Sequence, residues 1–269
     1  RYAFGFYNHK DRLTSPLIKK NGKFEKATWN EAYNFIKDKL DQTKKNYGPD
    51  AIAGISSARC TNEENYLFQK MIRAVIGTNN VDCCARICHS PTALGLQKAF
   101  GTGAATNSAD DIYHADLFII IGANPTNAHP VTGSKIKQQV MKGKKLIVLD
   151  PVKTELAKMA DYHIQLRPGT NVAVLNMILY FILEASLENK AFIKERCEGF
   201  EDFAKEIKKL NIAKLEKACG VNRQLVKEAA IAYATAKNSM EFHGLGVTEH
   251  TQGSKTVMLI ADLAMITGN

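Results

Sequence analysis

Short continuous apolar runs along this chain are separated by longer stretches in which apolar residues recur with helical spacing. That alternation predicts an α/β fold, with parallel sheets flanked by helices. Thr28 and Glu31 have the spacing of a capping box, which opens a helix over 28–45 with Trp29, Ala32, Phe35, Ile36 and Leu40 on one face. The apolar run 51–55 reads as a buried strand. A helix over 62–76 follows, then Gly77-Thr78-Asn79-Asn80, a cluster of chain breakers that marks a candidate domain boundary. Further on, 91–100 reads as a helix with His89 and Ser90 at its start. The runs 117–121 and 146–149 are continuously apolar, so they predict strands buried on both faces. Helices are expected over 131–141 and 172–184 and through the charged region 190–236, and a short strand over 240–242. The chain shows neither internal repeats nor low-complexity linkers.

Composition changes this picture little. The 269 residues are 45% hydrophobic and 23% charged, as in soluble globular proteins. No apolar run approaches the roughly 20 residues that span a bilayer, so no direct membrane span is expected. The net charge of +9 suggests anionic ligands. Its lysines (Lys10, Lys19, Lys20, Lys44, Lys45, Lys144 and Lys145 among them) are scattered rather than interleaved with aromatics, so nucleic acid is not an expected partner. Six irregularly spaced cysteines fit a reducing compartment, and a cytoplasmic location is expected.

The candidate chemistry is concentrated in Val-Asp-Cys-Cys-Ala-Arg-Ile-Cys-His-Ser-Pro-Thr, residues 81–92. A thiolate is a soft-metal ligand, and the imidazole beside it moves protons near neutral pH. Cys83, Cys84 and Cys88 lack the paired spacing of a closed zinc site, and Cys83 and Cys84 also read as small buried hydrophobes. A cysteine at the start of a helix has its thiolate favoured by the dipole, which suits Cys88 as a ligand. His89 reads either as its partner in chemistry or as a hydrogen-bonded residue at a helix start. Three loops are candidates for the carboxyl ends of parallel strands, where ligands bind: Gly122 to His129 and Asp150 to Thr154, which follow expected strands, and Arg167 to Asn171, which precedes an expected helix. Gly, Pro, Asn and Asp also belong in ordinary turns. There is no G-x-G-x-x-G after a strand and no Walker A sequence.

VDCCARICHSPT resembles the active-site segment of the large subunit of molybdopterin-dependent formate dehydrogenases, in the dimethyl sulfoxide reductase superfamily. The likeness continues through RAVIGTNNVDCCARICHSPTALGL, IIIGANPTNAHP, VLDPVKTE, RPGTN, GLGVTEHTQG and LAMITGN, in the family's order over essentially the whole chain. It implies dinucleotide-binding-like domains. Residues 1–82 would be the N-terminal portion of a split α/β domain, and 83–269 an α/β domain carrying the Cys-His site and the cofactor loops. It further implies reversible oxidation of formate to carbon dioxide at a bis-molybdopterin guanine dinucleotide centre holding molybdenum or tungsten. Cys88, which stands where the family has cysteine or selenocysteine, would ligate the metal, and His89 beside it would accept and return a proton.

The resemblance also assigns the loops. Gly122, Asn124, Asn127, His129, Asp150, Lys153, Gly169 and Asn171 match those that hold one dinucleotide. Gly246, Val247, Thr248, Glu249, Gln252 and Gly253 match a further pterin-contacting segment. Arg59 matches a cofactor-contacting arginine, just before a point where this chain is one residue shorter. His243 and His250 flank the last glycine loop and are weaker candidates. Cys60, Cys197 and Cys219 have no ligand-like spacing and are expected to be buried or inert. By the same likeness the chain is a fragment, inactive in isolation. An iron–sulfur domain would precede Arg1 and more than half of a subunit would follow Asn269, with electron-transfer subunits as partners. Another molybdopterin oxidoreductase, of formylmethanofuran dehydrogenase or nitrate reductase type, and a non-catalytic nucleotide-binding module stay open beside this reading.

Overall fold

Thr28 starts the first long helix by the reciprocal bonds that its sequence predicts: its hydroxyl accepts from the Glu31 amide, and its own amide donates to the Glu31 carboxylate at 2.7 Å. The computed structural model describes residues 3–269, and the chain divides into two compact units between Cys84 and Ala85. In the first, a short helix α1 (Ala3–Tyr7) precedes strands β1 (Leu17–Lys20) and β2 (Lys23–Lys26). These form an antiparallel hairpin, turned by Asn21 and Gly22 at φ of 50° and 81°. Helix α2 (Trp29–Tyr47) follows. Strands β3 (Gly54–Ser56) and β4 (Val81–Cys83) pair in parallel, joined by helix α3 (Asn62–Lys70) and a π-helical turn over Met71–Ile76.

The core of this unit is small: Ile52, Ile72 and Ile76, with Leu40, Phe68 and Val81 against them. Two expectations change here. The strand expected over 51–55 begins only at Gly54, because Pro49–Ala51 forms a 3₁₀ turn, and Ile55 is exposed. The apolar face of α2 exists, yet no residue of the helix is fully buried, and Trp29 is 63% exposed.

The second unit opens with α4 (Ala85–Cys88) and α5 (Ser90–Phe100). Its sheet contains β5 (Leu117–Ile121), β6 (Lys145–Leu149), β7 (Tyr162–Ile164) and β8 (Ser239–His243), all parallel. Every side chain of β5 is fully buried, each contributing roughly 1.5–3 kcal/mol by its removal from water. Between β5 and β6 come α6 (Pro125–Ala128) and α7 (Pro130–Met141). After β7 come α8 (Asn171–Glu184), α9 (Lys190–Arg196), α10 (Phe200–Lys208), α11 (Ile212–Cys219) and α12 (Arg223–Thr235). The unit closes with α13 (Leu245–Thr248) and α14 (Gly253–Thr267).

Alternate residues of β5 separate two cores. Leu117, Ile119 and Ile121 face α8, α12 and α14, whereas Phe118 and Ile120 pack with Ile136 of α7, Leu146 and Met240. The strand order is β7-β6-β5-β8, so the chain runs outward from β5 in one direction and then returns to its other side. Counted within the unit this is 3-2-1-4, the order of dinucleotide-binding sheets, and the crevice forms where the direction reverses, between β5 and β8. Among the described residues, no helix is long and apolar enough to cross a membrane.

Candidate active site and cofactor cleft

At that reversal the loops after β5 and β8 touch through backbone alone. Gly122 stands at φ 54°, and its carbonyl accepts from the Gly246 amide at 3.0 Å. A Cβ on Gly122 would lie 2.7 Å from the carbonyl carbon of Gly246, closer than side chains pack. Asn171, buried at the start of α8, ties the same loop by donating its side-chain amide to the Gly246 carbonyl at 3.0 Å. Around this seam the carboxyl ends of the strands enclose a cavity of about 300 Å³. Gly122, Asn124, Asp150, Gly169, Asn171 and Gly246 line it, together with His250 and Pro168.

Two of these side chains have acceptors left for a ligand. Asn124 Oδ1 is buried with no hydrogen-bond partner, a costly state unless another group meets it. Asp150 uses Oδ1 to accept from the Val152 amide at 2.8 Å, and no described residue bonds its other oxygen. The His163 ring bonds the Asp150 carbonyl at 3.0 Å, which gives that histidine a place in holding the loop. A backbone cradle that side chains would fill and an orphaned buried acceptor suit a ligand that brings N–H or O–H groups, as a pterin or a nucleotide does.

The remaining sequence candidates are dispersed. Asn127, His129 and Lys153 are exposed and lie outside the cavity lining. Val247 is part of the hydrophobic core, and Thr248 is buried with its hydroxyl unpartnered. Gln252 is exposed at the start of α14 and Gly253 is buried. Arg59 belongs to the first unit, exposed on the loop after β3. Cys60 lies on the same loop and is exposed. Cys84 accepts from the Ala58 amide at 3.3 Å, and Cys219 is buried.

Cys88 ends α4 and His89 is the N-cap residue of α5. Pro91, in the first turn, has no amide to leave unsatisfied, which is why the helix starts there. Helix α13, which carries Gly246, packs against α4, so the thiol-bearing helix and the cleft loop are neighbours in one unit. Among the described residues no three His, Cys, Asp or Glu side chains converge in a metal-holding group, so Cys88 offers its sulfur alone.

The His89 ring bonds the Thr92 hydroxyl at 3.1 Å, and that hydroxyl bonds His243 Nε2 at 3.0 Å. His243 ends β8 in register with Ile121. Burial, and then the neighbouring His89, lower its pKa to about 4. Thr92 went unremarked in the sequence, although it lies three residues from His89 on the same helical face.

Glu241, two residues back on the same strand face, was not singled out by the sequence either. Together with Thr92 and His243 it borders a second cavity, of about 630 Å³. Burial raises its pKa from 4.5 to about 7, against the pull of the Tyr233 hydroxyl that donates to it. The folded protein therefore keeps this proton where an unfolded chain has released it. The stability it contributes is complete below pH 4.5 and is lost as pH rises through about 7. Glu241→Gln keeps an acceptor for Tyr233, so its Tm is expected to fall less steeply than that of the wild type between about pH 5 and about pH 8. Equal slopes in thermal melts across that range would remove Glu241 as a cause.

A profile of the molybdopterin oxidoreductase family matches residues 12–269. The F420-dependent formate dehydrogenase 2 subunit alpha of Methanococcus maripaludis is 44% identical over 268 residues, covering all of this chain and 39% of that protein. Formate dehydrogenase H of Escherichia coli is 42% identical over 275 residues, again covering all of this chain and 38% of that protein. The chain thus spans about two fifths of the length of these relatives. Acetylene hydratase from Pelobacter acetylenicus shares the fold, with a TM-score of 0.73 at 24% identity over 99% of this chain and 37% of that one. The chain belongs to the molybdopterin oxidoreductase family.

Proposed function

We propose that this chain is part of the catalytic subunit of a formate dehydrogenase, and that it interconverts formate with carbon dioxide, a proton and two electrons. The observation that carries the reading is the Cys88–His89 pair at the start of α5, on a helix packed against the loop that lines the cleft. As a molybdopterin oxidoreductase, the chain takes a molybdopterin cofactor. Its finer form is proposed to be the bis-guanine dinucleotide, bound to molybdenum or tungsten. When bound, that centre accepts the electron pair of the formate C–H bond. Cys88 presents a thiolate as its protein ligand. His89, which follows Cys88 directly at the N-cap of α5, holds the released proton at a ring nitrogen.

In the cleft, Asn124 Oδ1 accepts from the dinucleotide, Asp150 accepts from a ribose hydroxyl or a guanine edge, and the Gly122–Gly246 seam lets the backbone approach closely. Electron-transfer subunits are the proposed partners. All six cysteines are free thiols, which suits the cytoplasm as the proposed compartment.

Two measurements test this. Formate-dependent reduction of a viologen dye by the metal-loaded subunit of full length supports the reading. Turnover of nitrate in place of formate moves the chain to another branch of the family, and absence of bound metal with tight guanine-nucleotide binding favours a non-catalytic module. For the cleft, Asn124→Ala removes the buried acceptor and is expected to weaken retention of the guanine nucleotide by about tenfold. Nucleotide released on denaturation, measured after equal dialysis, reads this, and equal retention would remove Asn124 from the site.

A further inference from the structure

We propose that Thr92 and His243 are positioning residues, which fix through the Thr92 hydroxyl the ring nitrogen of His89 that carries its proton. The proposal rests on the reading of Cys88 and His89 as the reacting pair. A threonine hydroxyl has one hydrogen to donate and accepts on its lone pairs. Here it lies between two imidazoles, 3.1 Å from His89 Nδ1 and 3.0 Å from His243 Nε2. Burial keeps His243 neutral, so its Nε2 either donates or accepts.

If it donates, the threonine hydrogen turns to His89 Nδ1, and the proton of His89 sits on Nε2. If it accepts, the threonine hydrogen turns to His243, and its oxygen accepts an Nδ1–H from His89. Nε2 of His89 is then bare. The direction of one hydroxyl thus couples the tautomers of the two rings, and a change of state also requires each ring to exchange its proton with water between its two nitrogens. The rings stand 6.5 Å apart between centroids, so the hydroxyl is the link and the imidazoles do not stack. The residues come from α5 and from the end of β8, 151 positions apart in sequence.

The test uses the full-length, cofactor-loaded subunit with nitrogen-15 in its histidines. Thr92→Val keeps the shape and removes the hydroxyl, Thr92→Ser keeps the hydroxyl, and His243→Phe removes the far nitrogen. Thr92→Val and His243→Phe are expected to move the His89 nitrogen resonances toward the average of the two tautomers. They should also lower kcat for formate by about 10- to 100-fold, with KM changed by less than about twofold. Thr92→Ser is expected to recover the wild-type spectrum and most of the rate.

Wild-type resonances and wild-type kcat in Thr92→Val overturn the proposal. If Thr92→Val takes up no metal, His243→Phe and Thr92→Ser decide it in the same way. A metal-loaded wild type that ignores formate fails the functional reading alone, because the His89 resonances still report the chain of bonds.

Discussion

Cys88→Ala in the full-length subunit is expected to abolish formate-dependent dye reduction, a loss of about 10³-fold or more. The size follows from the position. Cys88 is the only sulfur at the start of α5, among the described residues no group of other ligating side chains stands in reserve, and alanine offers no lone pair. The fold should be untouched, since Cys88 is only half-buried and belongs to none of the hydrophobic cores. Dye reduction, metal content and a thermal melt on the same preparations separate the cases. Lost turnover with an unchanged Tm assigns the chemistry to the thiol. Alanine protein that still oxidises formate sinks the ligand role. Cys88→Ser, with a harder and less acidic group, should lie near alanine, because an alkoxide does not form at neutral pH.

Gly122→Ala is expected to destabilise the second unit by about 2–4 kcal/mol. Two penalties combine: a backbone at φ 54° that L side chains seldom adopt, and a new Cβ 2.7 Å from a backbone carbon of Gly246. For a unit of this size the thermal transition should drop by about 4–16 °C. Gly143→Ala separates the two penalties. Gly143 has φ of 95° but nothing within 4 Å of its Cβ position, so it should lose only the conformational part, about 1 kcal/mol. If calorimetry finds the two variants equally unstable, the loop contact is not tight. A larger loss in Gly122→Ala, accompanied by lost nucleotide, ties the seam to the cleft.

Much of this architecture is legible in the residues because local rules and burial agree. The run Leu117–Ile121 has no polar position, so it must be covered on both faces, and it is. Thr28 and Glu31 announce a helix start, and the bonds are present. Loops expected at strand ends do meet at one cleft, in the persons of Gly122, Asn124, Asp150, Gly169, Asn171 and Gly246. Where reading fails, the cause is physical. Strand β7, Tyr-His-Ile, is too short and too mixed to show a period. The 51–55 run is apolar because Ile52 fills a small core, a demand that a turn satisfies as well as a strand. The hairpin at Asn21-Gly22 had its turn signal, but its strands carry four lysines in eight positions and bury only Ile18, which leaves no alternating face to read. Thr92 and Glu241 were unreadable for another reason. Their importance depends on His243 and Tyr233, and no spacing rule relates side chains that meet only after folding.

The seam between Gly122 and Gly246 has a further consequence. It is made of main-chain atoms, which have no rotamers, so its spacing costs no side-chain freedom when a ligand arrives. The floor of the cleft therefore behaves as a fixed gauge. Discrimination between cofactors that differ in their outer groups must fall to the walls, where Asn124, Asp150 and His250 can be exchanged over evolutionary time while the gauge keeps its width.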